Sequence, residues 1–97
     1  MSTPLRYSFR LFIAAGSVNS TAALGNLPRL FQNLPQDCYE IHIIDVNKQP
    51  EEAAAARILA IPTLVKDHPA PVRWIIGDLS DAHRVAIELE VDLGNGA

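Results

Sequence analysis

The chain has 97 residues, with 8 Lys and Arg against 11 Asp and Glu for a net charge of −3 at pH 7, and a single cysteine. That length suits one small domain spanning residues 1–97 with a thin margin of buried core, and the mild acidity, without any basic run or stripe, argues against nucleic-acid binding because nothing could release counterions from a phosphate backbone. One cysteine allows no internal disulfide and no cysteine metal cluster, no stretch is long and apolar enough to span a bilayer, and Met1-Ser2-Thr3-Pro4 leads into an alternating segment instead of a signal-peptide core, which together imply a cytoplasmic protein without a membrane partner.

Leu5, Tyr7, Phe9, Leu11 and Ile13 alternate with Arg6, Ser8 and Arg10, the period of a strand with one face in a core. Ala14-Ala15-Gly16 ends it. Ser17, Asn19 and Ser20 then offer capping oxygens to a helix whose Leu24, Leu27, Leu30, Phe31 and Leu34 fall at helical spacing. Gly25 and Pro28 lie inside that helix; an interior proline costs about 3 kcal/mol and a glycine about 1 kcal/mol relative to alanine, so packing must hold the helix or Pro28 kinks it. A second strand is predicted from Tyr39 to Val46, with Ile41, Ile43, Ile44 and Val46 apolar and Glu40 and His42 on the more polar side. Lying one helix after the first strand, it takes a right-handed parallel crossover by default. Pro50, Glu51 and Glu52 open a second helix that runs through four alanines to Arg57 near its negative end.

Two β-branched runs, Thr63 to Lys66 and Val72 to Ile76, flank a turn holding Pro69 and Pro71 and read as a hairpin. Each run begins just after a proline, Pro62 or Pro71, and the X-Pro bonds there and at Pro69 can be cis. Gly77 ends the hairpin, with Asp78 and Ser80 suited to starting a helix. The last segment, Ala82 to about Leu93, reads two ways. Ala82, Val85, Ala86 and Leu89 make a helical face, while Val85, Ile87, Leu89, Val91 and Leu93 alternate with Ala86, Glu88, Glu90 and Asp92 as a strand would. The predicted order is β-α-β-α-β-β-α, an α/β fold.

That order, with a proline opening the third strand, resembles the thioredoxin-like fold. A thioredoxin needs a low-pKa cysteine at the start of the first helix, where the helix dipole stabilises a thiolate. Here the position reads Ser17-Val18-Asn19-Ser20, and two serines cannot exchange disulfides. Cys38, a lone thiol just before the second strand, reads as half-buried packing.

A narrower resemblance is carried by Leu11-Phe12-Ile13-Ala14-Ala15-Gly16 with Asn19-Ser20, by Ile44-Asp45-Val46, by Ile58-Leu59-Ala60-Ile61-Pro62-Thr63-Leu64, and above all by Pro71-Val72-Arg73-Trp74-Ile75-Ile76-Gly77-Asp78-Leu79-Ser80. These look like the KaiB family across nearly the whole chain; Gly25, Pro28 and Ala70 depart from its pattern. The resemblance implies a non-enzymatic regulator without a cofactor that binds the ring-shaped ATPase KaiC in its thioredoxin-like form, displaces a thioredoxin-like sensor kinase domain and helps sequester KaiA. It serves either as the oscillator component or as a paralogue of it working with another KaiC-like ATPase. The resemblance also implies a second fold of the C-terminal half, β-α-β-β-α-α-β, in a homotetrameric resting state, the thioredoxin-like state being monomeric. Residues 51–57 are alanine-rich and poor as a strand, Pro62 would interrupt a helix, and Val72 to Ile76 is β-prone, so the thioredoxin-like state is expected to dominate.

The same resemblance places Glu40 and His42 on an ATPase-facing edge strand, with Arg57 as a basic contact. The plainer reading is that polarity there protects an exposed edge. Pro62, Pro69, Pro71, Gly77 and Asp78 are the candidate positions for cis-proline geometry and for a change of fold. Trp74 reads as packing more than as an interface anchor, although large aromatics are enriched at hot spots. His68 and His83 lack partners at ligand spacing and read as solvated, so no metal is expected. The competing class is a glutathione-type binder or transferase-like domain, with Ser17 or Ser20 activating the thiol and Pro62 and Asp78 holding its backbone.

Overall fold

The computed structural model describes residues 6–94; Leu5, given to the first strand by its alternation, and Met1 to Pro4 lie outside them. The elements come in the predicted order: β1 (Tyr7–Ile13), α1 (Val18–Leu30), a single 3-10 turn (Gln36–Cys38), β2 (Tyr39–Asp45), α2 (Pro50–Ala55), β3 (Thr63–His68), β4 (Arg73–Ile76) and α3 (Ala82–Leu89). They build one four-stranded sheet in the order β2-β1-β3-β4. β2 runs parallel to β1 in register from Tyr7↔Tyr39 to Ile13↔Asp45, as the α1 crossover requires. β3 and β4 form the predicted hairpin; β3 runs antiparallel to β1, and β4, antiparallel to β3, forms the far edge. The peptide bonds before Pro62, Pro69 and Pro71 are all cis.

β1 lies between β2 and β3 and contributes to a core on each of its faces. Tyr7, Phe9, Leu11 and Ile13 enter the main core with Leu27, Phe31, Leu64, Ile75, Val85 and Leu89. Phe12 enters a smaller core on the opposite face with Ile44 and Val65, closed by Ala53, Ala56, Ile58 and Ile61. Cys38, expected to be half-buried, is 2% exposed and part of the main core.

Local chemistry explains where each helix starts and stops. The Ser17 hydroxyl accepts from the Ser20 backbone N–H at 3.1 Å and caps α1. The helix runs through Gly25 and Pro28, both exposed, because one face holding Ala23, Leu27 and Leu30 is buried. α2 stops at Ala55, two residues short of the predicted end. Ala56 closes it, and Arg57 turns left-handed at φ 57. For the last segment the helical period prevails over the alternation. Asp81, in place of Asp78 or Ser80, caps it by accepting from the Arg84 N–H at 3.1 Å. Glu90 then ends the helix in the left-handed region at φ 56, with the Val91 N–H donating to the Ala86 carbonyl at 3.1 Å.

The tail beyond α3 is tied back to β1. The Asp92 N–H donates to the Tyr7 hydroxyl at 3.0 Å, and Val91 and Leu93 are buried. Tyr7→Phe keeps the ring and loses this bond, so it should lower stability by about 1 kcal/mol. The matching observable is faster hydrogen exchange at the Asp92 amide; unaltered exchange would show that the hydroxyl does not hold the tail.

Candidate functional site

The start of α1 is where a thioredoxin-like domain would place its chemistry, and both serines there are structurally committed. Ser20 is 1% exposed; its hydroxyl oxygen accepts from the Ala14 N–H at 3.0 Å while its own N–H is held by Ser17. Asp78 is likewise a joint. Its carboxylate accepts from the Ser80 N–H at 3.0 Å, its carbonyl accepts from the Asn26 side-chain amide at 2.8 Å, and hydrogen bonding by Ser80, through its hydroxyl and then its backbone N–H, holds the carboxyl pKa below the usual range. Gly77, at φ 136, donates its N–H to the Pro62 carbonyl at 3.1 Å. This loop system fixes the end of β4 against β3 and α1. Ser17 and Ser20 thus serve the strand-to-helix turn as acceptors for backbone N–H groups, and Pro62 and Asp78 serve the loop that joins β4 to β3 and α1, so each has a structural role that accounts for it.

The second candidate region is the face of the sheet that α2 only partly covers. On the edge strand β2, Glu40 and His42 are both exposed, with His42 Nε2 4.0 Å from Glu40 Oε2. Glu40 also accepts a hydrogen bond from the Ser8 hydroxyl at 3.1 Å. Next inward, Arg10 pairs in register with His42 and grips Asp67 of β3 through two bonds, Nε to Oδ2 at 2.7 Å and Nη2 to Oδ1 at 2.9 Å. Its guanidinium lies 5.3 Å from the centroid of the Phe12 ring. The hydrogen bond to Asp67 raises the Arg10 pKa. This forked pair is less than a third exposed on either side, so it anchors β1 to β3 more firmly than the open Glu40–His42 contact holds anything.

Arg57 does not join that strip. Its left-handed turn carries the chain toward β4, where Arg57, Ile58, Leu59, Thr63, Trp74 and Ile76 line a shallow hollow. With neighbouring strands about 4.8 Å apart, the two edges of the sheet are separated by roughly 14 Å. The predicted trio thus divides into a polar strip at β2, holding Glu40 and His42, and a separate surface beside β4, holding Arg57.

Trp74 corrects its sequence reading as packing: it is 60% exposed. Ile75 points into the main core, so its neighbours Trp74 and Ile76 must point to the other face, and α2, only six residues long, does not extend over β4. Leu59, at 94% exposed, is a surface residue that sequence reasoning passed over. For Trp74 the signal was present in the hairpin's alternation, but its meaning depends on which strand lies at the edge; for Leu59, in the loop between α2 and β3, no spacing signalled it. On the other side of Trp74 an open groove of about 540 Å³ is lined by Val72, Arg73, Ile87, Glu88 and Glu90, and Arg73 Nε meets Glu90 Oε2 there at 2.6 Å.

Pro62 is buried, whereas Pro69 and Pro71 are exposed at the hairpin turn; His68 at the end of β3 and His83 in α3 are exposed as well. Among the described residues no group of three or more His, Cys, Asp or Glu is placed to hold a metal ion, and no helix is long and apolar enough to cross a membrane.

Comparison with known proteins places this geometry. The family model described as the KaiB domain matches residues 10–91. The chain is 43% identical over 91 residues to the circadian clock oscillator protein KaiB of Prochlorococcus marinus (strain MIT 9515), covering 94% of this chain and 84% of that one. It is 45% identical over 85 residues to the protein of the same name from Acaryochloris marina (strain MBIC 11017), covering 88% and 82%. Among solved structures, the N-terminal domain of Synechococcus elongatus SasA superposes with a TM-score of 0.71 at 20% identity over 93% of this chain and 89% of that one. Mitochondrial thioredoxin 3 of Saccharomyces cerevisiae does so with a TM-score of 0.71 at 21% identity over 89% and 78%. At those identities the structural likeness speaks for the fold, which is thioredoxin-like.

Proposed function

The chain belongs to the KaiB family, and we propose that it is a non-enzymatic regulator of the clock type that works by binding a KaiC-like ATPase through the sheet face described above. The family match over residues 10–91 carries this reading. The state of the helix start supports it: where a redox relative would present sulfur, Ser20 is buried and spends its hydroxyl on the Ala14 N–H. In this reading the thioredoxin-like state is the binding form, a cytoplasmic monomer that also helps sequester KaiA. The alternative fold of the C-terminal half is a minor homotetrameric state, selected against by the alanine-rich α2 segment, by Pro62 and by the β-prone run at β4.

The test is capture of this chain by a KaiC-like ATPase from the same organism. His42→Glu sets a second carboxylate beside Glu40, and Arg57→Glu reverses the charge beside β4. Each should weaken capture about tenfold, equivalent to about 1.4 kcal/mol. Both sites are exposed, so unfolding midpoints should stay where they are. Parental affinity in both variants would rule this surface out. Backbone chemical shifts report the fold separately, and an extended Ala53 to Ile58 with a helical Val72 to Ile76 would make the other state the dominant one.

A further inference from the structure

We infer that the apolar hollow between the α2–β3 loop and β4, with Leu59 and Trp74 at its rim, is the anchor of partner binding, and that it takes an apolar side chain flanked by a carboxylate on the ATPase. The inference rests on the reading above and names the part of the surface that carries the affinity. Leu59 is 94% exposed, Trp74 60% and Ile76 44%, and all three border one hollow with Arg57, Ile58 and Thr63. Leu59 contributes almost nothing to either core at that exposure. An exposed tryptophan is the residue type that protein interfaces use as an anchor, and Leu59 on the same hollow adds exposed apolar surface from which a partner excludes solvent.

The dimensions and the charge decide what fits. The hollow holds about 20 Å³, room for about one water, which is too little for a small-molecule ligand and enough for the tip of one side chain. Its lining includes one cation, Arg57, and no carboxylate. The partner's complementary charge is therefore negative. A second copy of this chain is disfavoured by the same count, because two such hollows meeting about a twofold axis would bring arginine to arginine with nothing to offset it.

Trp74 is the only tryptophan in the chain, so 5-fluorotryptophan labelling gives one fluorine signal located at the hollow. Titration of the labelled protein with the KaiC-like ATPase should shift or broaden that signal. Leu59→Ser should reduce capture at least about tenfold with an unchanged unfolding midpoint. If Leu59→Ser is captured like the parent and the fluorine signal does not respond, the anchor is elsewhere and the proposed function still stands. If the parent itself is not captured, the proposed function fails and takes this inference with it. A signal that moves with the concentration of this chain alone would assign the hollow to self-association and overturn the inference.

Discussion

Phe9→Ala is expected to bring the domain close to unfolding. Phe9 is fully buried in the interior strand β1. Its ring lies 4.9 Å from that of Phe31 just beyond α1 and 5.8 Å from Tyr7, and Phe31 in turn meets Tyr39 of β2 at 4.8 Å. One aromatic row therefore joins β1, the end of the crossover helix and the edge strand. Truncating a buried phenylalanine costs about 3–5 kcal/mol in lost transfer energy and residual cavity, and a domain of this size has only about 5–15 kcal/mol in total. Chemical denaturation should show the midpoint collapsing with the slope retained. Leu59→Ser is the contrast, because a side chain 94% exposed leaves no cavity. A cost below about 1 kcal/mol for Phe9→Ala would mean that the row is not what joins the crossover to the sheet.

The parts of this architecture that were legible in the sequence are those governed by neighbours in the chain. The alternation in β1, the serine cap of α1, the proline at the first position of α2 and the glycine ending β4 act within a few residues, so composition and spacing suffice to locate them. The last segment was ambiguous for a physical reason. Leu89, Val91 and Leu93 are all buried, the first as the end of a helical face and the others on an extended tail, and the join at Glu90 is a left-handed cap without the usual glycine. Lys66 shows the same limit. A lysine at the end of a β-branched run gives no hint that it will be 1% exposed, since its burial follows from sharing a face with Leu64 under the main core.

The site was the harder part because it depends on strand order. Glu40, His42 and Arg57 could be assigned to a sheet face but not to a distance apart. Only the order β2-β1-β3-β4 sets the first two at one edge and brings Arg57 toward the other. The same order turns Trp74 from core packing into the largest exposed aromatic surface of the face, since an edge strand beyond the reach of a six-residue helix has nothing to cover it. Separation of that kind has a functional consequence: a partner that engages both edges must span the sheet, whereas partners of one edge each could bind together.

Ser20→Ala should cost about 1–3 kcal/mol, more than its size suggests. The hydroxyl of Ser20 is the partner of the Ala14 N–H at 3.0 Å, at the point where β1 gives way to α1, and at 1% exposure no water can readily replace it. Removing it leaves a backbone donor unsatisfied and a small void beneath the first turn, two penalties of the same sign. Ser17→Ala removes only the cap, an acceptor for the Ser20 N–H at 3.1 Å near solvent, and should cost about 1 kcal/mol. The order of the two effects is the informative quantity, read from denaturation midpoints with the Ala14 amide followed by hydrogen exchange. If Ser20 carries the strand-to-helix turn, its alanine variant loses the larger share and the Ala14 amide exchanges faster. Equal losses with unchanged exchange would return Ser20 to the role of an ordinary helix residue.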